Sequence, residues 1–205
     1  MLSTPRAGFE ANTIIHNMVD VDKDTIPMWY ALSAPYRKEL EAQRLLEKNE
    51  VRNYLPMHYR IFTMKSGKKV RKLVPVISNL LFAYTSKTHL QEIKQGVPFL
   101  QYRTRPEGGR NVPIIVPDNQ MQQFMAVCET HNERLIYLQP DEINLAKGTR
   151  VRVIGGPFDG VEGIFVKVKG ARSKRVVVLI NGITAVATAE IEPEYIEVVN
   201  EDSDI

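Results

Sequence analysis

Cysteine is almost missing from this chain: Cys128 stands alone among 205 residues. A lone thiol closes no intramolecular disulfide and builds no cysteine-based zinc site, so a reducing cytoplasm is the expected compartment. Cys128 lies beside Phe124, Met125 and Val127 and reads as core packing. Long apolar runs are lacking too; none reaches the roughly 18 residues a membrane helix needs, so no membrane partner is expected. The N-terminus, with Pro5, Arg6, Glu10 and Asn12, has no apolar stretch of the secretory kind. The histidines (His16, His58, His89, His131) show no metal-ligand spacing, and neither a P-loop nor a nucleophile elbow is present. Gly155-Gly-Pro-Phe-Asp-Gly160 lacks the lysine of a phosphate loop, and no pair of carboxylates stands placed for acid-base work. These absences argue against an enzyme and predict no cofactor and no metal.

Charge is present but unevenly spread. The net +3 of the chain conceals sixteen Lys and Arg against eight Asp and Glu in residues 26–132. The excess is narrower still: between Val51 and Gln91 stand Arg52, Arg60, Lys65, Lys68, Lys69, Arg71, Lys72 and Lys87, with no acid. A solvated face normally mixes signs, so contact with a polyanion such as DNA or RNA is expected there, weak and sensitive to salt.

With 43% hydrophobic residues the chain can bury ordinary cores, and its pattern divides in two. Residues 1–25, ending in Asp20-Val-Asp22-Lys-Asp24, read as a mobile tail. Residues 26–132 read as an α+β unit. Met28 to Leu32 is a short apolar strand, followed by a helix to about Asn49 with Ser33 as its cap and Pro35 in its first turn. Ala42, Leu45 and Leu46 form the buried stripe of that helix, and Arg37 and Arg44, seven apart, share its outer face. Tyr54 to Met64 and Val70 to Val76 are strands joined around Ser66-Gly67-Lys68. Leu80 to Tyr84, Phe99 to Arg103 and Val112 to Val116 are further strands. A short helix around Leu90 and Ile93 ends near Gly96, and a last helix starts at Pro117. Strands and helices mix without regular βαβ alternation, which predicts an antiparallel sheet with flanking helices.

Residues 133–146 read as a linker, marked by Pro140 and its acids. From Lys147 the pattern is all β. Val151 and Val153 alternate with Arg150 and Arg152, Gly155, Gly156, Pro157, Asp159, Gly160 and Gly163 supply a turn-rich corner, and Ile164, Val166 and Val168 resume the alternation. Asn181-Gly182 marks a hairpin between Val176–Ile180 and Ile183. Residues 147–199 therefore predict a small SH3-like barrel, with 200–205 left as an acidic tail.

Lys147 to Phe165 (KGTRVRVIGGPFDGVEGIF) resembles the KOW motif of the NusG family of transcription elongation factors. Trp29-Tyr30, Val76-Ile-Ser-Asn-Leu-Leu-Phe82 and Pro113-Ile-Ile-Val-Pro117 resemble that family's N-terminal domain. Within the family, Arg71-Lys-Leu-Val-Pro75, Asn79-Leu-Leu-Phe82, Ile115-Val-Pro-Asp118 and Gly182-Ile-Thr-Ala-Val-Ala-Thr188 are most similar to UpxY, the Bacteroidetes antiterminators encoded with capsular polysaccharide genes.

The resemblance implies a factor that docks on the clamp helices of RNA polymerase and suppresses pausing or termination, without chemistry. It implies docking through Ile77, Leu80, Phe82 and Ile115, with Leu80 and Phe82 on the docking surface. Thr88 and His89 would lie near the opposite polymerase jaw, and Ser33 replaces an aromatic that relatives carry. Arg37, Lys38 and Arg44 would meet the non-template DNA strand, nascent RNA being the other polyanion within reach. Gly156, Gly160 and Gly163 are expected to be structural, and the barrel to recruit a partner such as a ribosomal protein. A ribosome-associated RNA-binding KOW protein is the alternative. It would need a strongly basic barrel, whereas residues 147–199 hold eight basic against six acidic residues.

Overall fold

The computed structural model describes residues 22–139, 142 and 148–199. Pro140 with residues 141 and 143–147, residues 1–21 and the acidic 200–205 lie outside the described residues. Within it the chain is a mixed α/β protein with antiparallel sheets and few helices.

The first sheet is built on β1 (Met28–Ser33), whose unbroken apolar run suits a strand covered on both faces. It pairs antiparallel with β5 (Leu81–Thr85), β6 (Gln101–Tyr102) and β9 (Ile115–Val116), and β5 in turn carries β2 (Arg52–Tyr54). Side chains alternate across a strand, so Tyr30, Leu32, Leu81 and Ala83 go to one face. There they pack with Ala42 and Leu46 of α1 (Glu39–Lys48) and Leu90 and Ile93 of α2 (Lys87–Lys94). Trp29, Ala31 and Phe82 go to the other, under Met121, Phe124 and Cys128 of α3 (Asp118–Glu129). Strands β3 (Met57–Thr63) and β4 (Lys69–Pro75) form a separate two-stranded hairpin, as do β7 (Thr104–Glu107) and β8 (Arg110–Pro113).

Helix α1 starts five residues later than the spacing predicts. Ser33 is the last residue of β1 rather than a cap, and its hydroxyl donates to Asn79 Oδ1 at 2.7 Å. Tyr36 and Arg37 both take φ of 60°, a left-handed turn that no helix can contain. Arg37 therefore lies before α1 and shares no helical face with Arg44. The tail also ends sooner than expected: Lys23–Thr25 form a 3₁₀ turn, and the Asp24 carboxylate bonds Lys87 Nζ at 2.9 and 3.0 Å.

The second sheet follows the order β10-β14-β13-β12-β11-β15. It contains β11 (Thr149–Val153), β12 (Glu162–Lys167), β13 (Lys174–Ile180), β14 (Thr184–Ala187) and β15 (Ile196–Val198). Val151 and Val153 point inward, and outward Arg150 and Arg152 reach Glu162 at 3.6 and 2.5 Å. The hairpin at Asn181-Gly182 uses three residues, because Ile180 pairs with Thr184 and Ile183 N–H returns to Ile180 C=O. Among the described residues no ladder joins the sheet edges β10 and β15.

One strand of this sheet comes from the stretch expected to be linker. In β10 (Ile136–Leu138) the backbone pairs with β14, and Thr184 Oγ1 donates to Leu138 C=O at 3.0 Å. Its Tyr137 side chain turns the other way and, with Tyr54, packs against the core cluster that holds Cys128. Burial pushes both phenols well above their ordinary range and the thiol up to about 12 from 9.0. An ionised thiol is thus disfavoured in the folded state alone, so its contribution to stability is full below pH 9 and lost as pH rises from 9 towards 12. Native Cys128 is expected to resist alkylation at pH 8 and to react only on unfolding. A Cys128→Ala variant should lose less stability than the parent between pH 8 and 10, as read by urea midpoints; equal losses would remove Cys128 as the titrating group.

Candidate interaction surfaces

The turn Pro35–Lys38 projects from the end of β1, held by a polar network beneath it. The Glu39 carboxylate, only 6% exposed, accepts from Asn79 N–H at 2.7 Å. Asn79 itself sits at φ 61°, and Arg103 donates to its C=O at 2.9 Å. These bonds hold both ends of the turn, which offsets the strain of two consecutive left-handed residues, about 1–2 kcal/mol each. The outcome is a displayed pair: Tyr36 is 90% exposed and Arg37 stands free beside it. Lys38 is less free, because it is paired with Glu41 and lies 5.6 Å from the Phe99 ring centroid. Arg44 is exposed on α1.

The four expected docking residues separate. Ile77, Leu80 and Phe82 are 7%, 0% and 0% exposed, so they are core and form no surface. The reason is α3: strand alternation sends Phe82 towards it, where its ring meets Phe124 edge-on at 6.0 Å. The sequence cannot tell an apolar strand covered by its own helix from one covered by a partner. Ile115 alone is exposed, at 43%. Thr88 and His89 lie exposed in the first turn of α2, capped by the Ser86 hydroxyl, which accepts from His89 N–H at 3.2 Å. Thr88 Oγ1 also donates to Asp24 C=O at 3.2 Å. The Asp24 carboxylate, by its hydrogen bond, pushes the Lys87 ammonium pKa upward and keeps it charged.

The expected glycines have two different duties. Gly156 and Gly160 take φ of 71° and 76° with open space where a Cβ would stand. Gly163 lies in β12, and a Cβ there would meet Val177 C=O oxygen at 2.6 Å and Val176 Cγ1 at 2.8 Å. Beside this corner α3 touches the second sheet through amides that no sequence pattern flags. Gln123 Oε1 accepts from Glu162 N–H at 2.9 Å, and Gln120 Oε1 from Asn181 N–H at 3.3 Å. A cleft of about 270 Å³ opens there, lined by Asn119, Arg150 and Leu179 among others.

Among the described residues no group of three His, Cys, Asp or Glu could hold a metal ion, and no helix is long and apolar enough to cross a membrane. The described surfaces suit contact with other macromolecules: an exposed aromatic and cations on a rigid antiparallel scaffold. Residues 27–125, the stretch from β1 into α3, match the family described as "Transcription termination factor nusG". The chain is also similar to the solved structure described as "Domain interaction in Thermotoga maritima NusG", at 17% identity and a TM-score of 0.43, over 86% of this chain and 99% of that one. No curated protein matches it.

Proposed function

We propose that the protein is a transcription elongation and antitermination factor that docks on the clamp helices of RNA polymerase. The observation that supports this reading is the match of residues 27–125 to the NusG family. Binding the elongating clamp better than the paused one shifts polymerase away from the paused state by that difference in affinity alone. Residues 26–132 act as the docking unit and 147–199 as a barrel that recruits a second partner, a ribosomal protein being the proposed one. Tyr36, Arg37 and Arg44 contact the non-template strand, Thr88 and His89 approach the opposite jaw, and the operons served make polysaccharide.

Of the apolar positions considered, Ile115 is the one free to touch polymerase. Ile115→Glu should leave the melting curve unchanged, since an exposed substitution costs within about 0.5 kcal/mol. The same variant should weaken capture of purified polymerase at least tenfold and abolish read-through of a paused template. Undiminished capture by the folded variant would remove Ile115 from the docking surface.

A further inference from the structure

The β3–β4 hairpin presents two unlike faces. Cross-strand partners share a face, so Tyr59, Leu73, Ile61 and Arg71 form one side. That side touches the body at two points, where the Tyr59 ring meets His131 at 5.6 Å and Arg71 reaches Glu133 at 3.0 Å, while Ile61 stays 63% exposed. The opposite side carries Arg60 against Lys72 and Phe62 against Val70. Among the described residues, Arg60, Lys72 and the tip residues Lys65 and Lys68 have no ion-pair partner.

Two cations directly opposite one another destabilise a two-stranded ribbon, and an isolated hairpin is marginal to begin with. An anion lying between Arg60 and Lys72 reverses the sign of that term. Phe62 is 36% exposed, with the Arg60 guanidinium 5.6 Å from its ring centroid, so an aromatic face stands next to the two charges. Unpaired cations beside a partly exposed aromatic ring suit a single strand, because its bases are unstacked and free to lie on that ring.

We propose that the outward face of this hairpin binds single-stranded nucleic acid, with a base on Phe62 and phosphates on Arg60, Lys72 and the tip lysines. The inference deepens the reading as a transcription factor, and it is measured with no polymerase present. The full chain is titrated into fluorescein-labelled (dT)20 and into a 20-base-pair duplex, with anisotropy read at several salt concentrations. The parent should bind (dT)20 more tightly than the duplex. The R60E/K72E variant should lose at least tenfold in affinity, with the salt slope shallower by about 1.4, the value for two single-strand phosphate contacts. Phe62→Ala should lose about tenfold through stacking alone, its salt slope unchanged. Circular dichroism checks that each variant is folded, and polymerase capture should be unaltered in both, which separates this site from the docking surface. Equal affinity of parent and R60E/K72E overturns the proposal, as does equal affinity for duplex and single strand. Full affinity in Phe62→Ala overturns the stacking assignment.

Discussion

Gly163→Val should destabilise the second sheet by on the order of 4 kcal/mol, well beyond the usual cost of overpacking. A Cβ at this position falls 2.6 Å from a backbone oxygen of β13, which cannot swing aside as a flexible side chain would. To relieve the clash, the β12–β13 ladder between Phe165–Val176 and Ile164–Val177 must open. Gly163→Ala already introduces the offending atom and should show most of the loss. Gly160→Ala is the matched control: its neighbourhood is empty, and only the positive φ of 76° opposes a side chain, at about 1–2 kcal/mol. Urea midpoints of the three variants check the ordering. If Gly160→Ala is the more costly alanine substitution, the close approach of β12 to β13 is not what requires glycine there.

Phe82→Ala should cost about 3–5 kcal/mol, the range for truncating a fully buried aromatic. Phe82 is 0% exposed and packs against Phe124 of α3, so its removal leaves a cavity between the first sheet and that helix. For a domain with about 5–15 kcal/mol of stability, this approaches unfolding. Polymerase capture per folded molecule should be unchanged at low temperature, in contrast to Ile115→Glu. A Phe82→Ala protein that melts with the parent yet fails to bind polymerase would return Phe82 to the docking surface.

Part of the candidate surface is legible in the order of residues alone. The acid-free stretch Val51–Gln91 marks the basic hairpin, and Arg44 is exposed on α1 as its position outside the Ala42–Leu46 stripe implies. Arg37 is different: Pro35 is compatible with the first turn of a helix, so local pattern assigns Arg37 to the wrong element. Its actual conformation depends on Glu39, Asn79 and Arg103, which lie up to 66 residues away from Arg37 along the chain. The apolar pattern of β5 predicts a strand but leaves open what covers Phe82.

Sequence by itself determined the strands and their turns. The apolar run of β1, the glycine corner after β11 and the hairpin at Asn181-Gly182 follow from side-chain period and from backbone conformations available to glycine. It also carries the match of residues 27–125 to the NusG family, since a match of that kind rests on the order of residues. Tertiary structure alone decided which apolar residues are surface, because burial depends on whether α3 lies over the strand. It decided that β10 belongs to the second sheet, since Leu138 finds its partners in β14, 46 residues away at Thr184. It likewise set the two faces of the β3–β4 hairpin apart, because His131 and Glu133 partner Tyr59 and Arg71 on one side, whereas Arg60 and Lys72 stand opposite one another on the other.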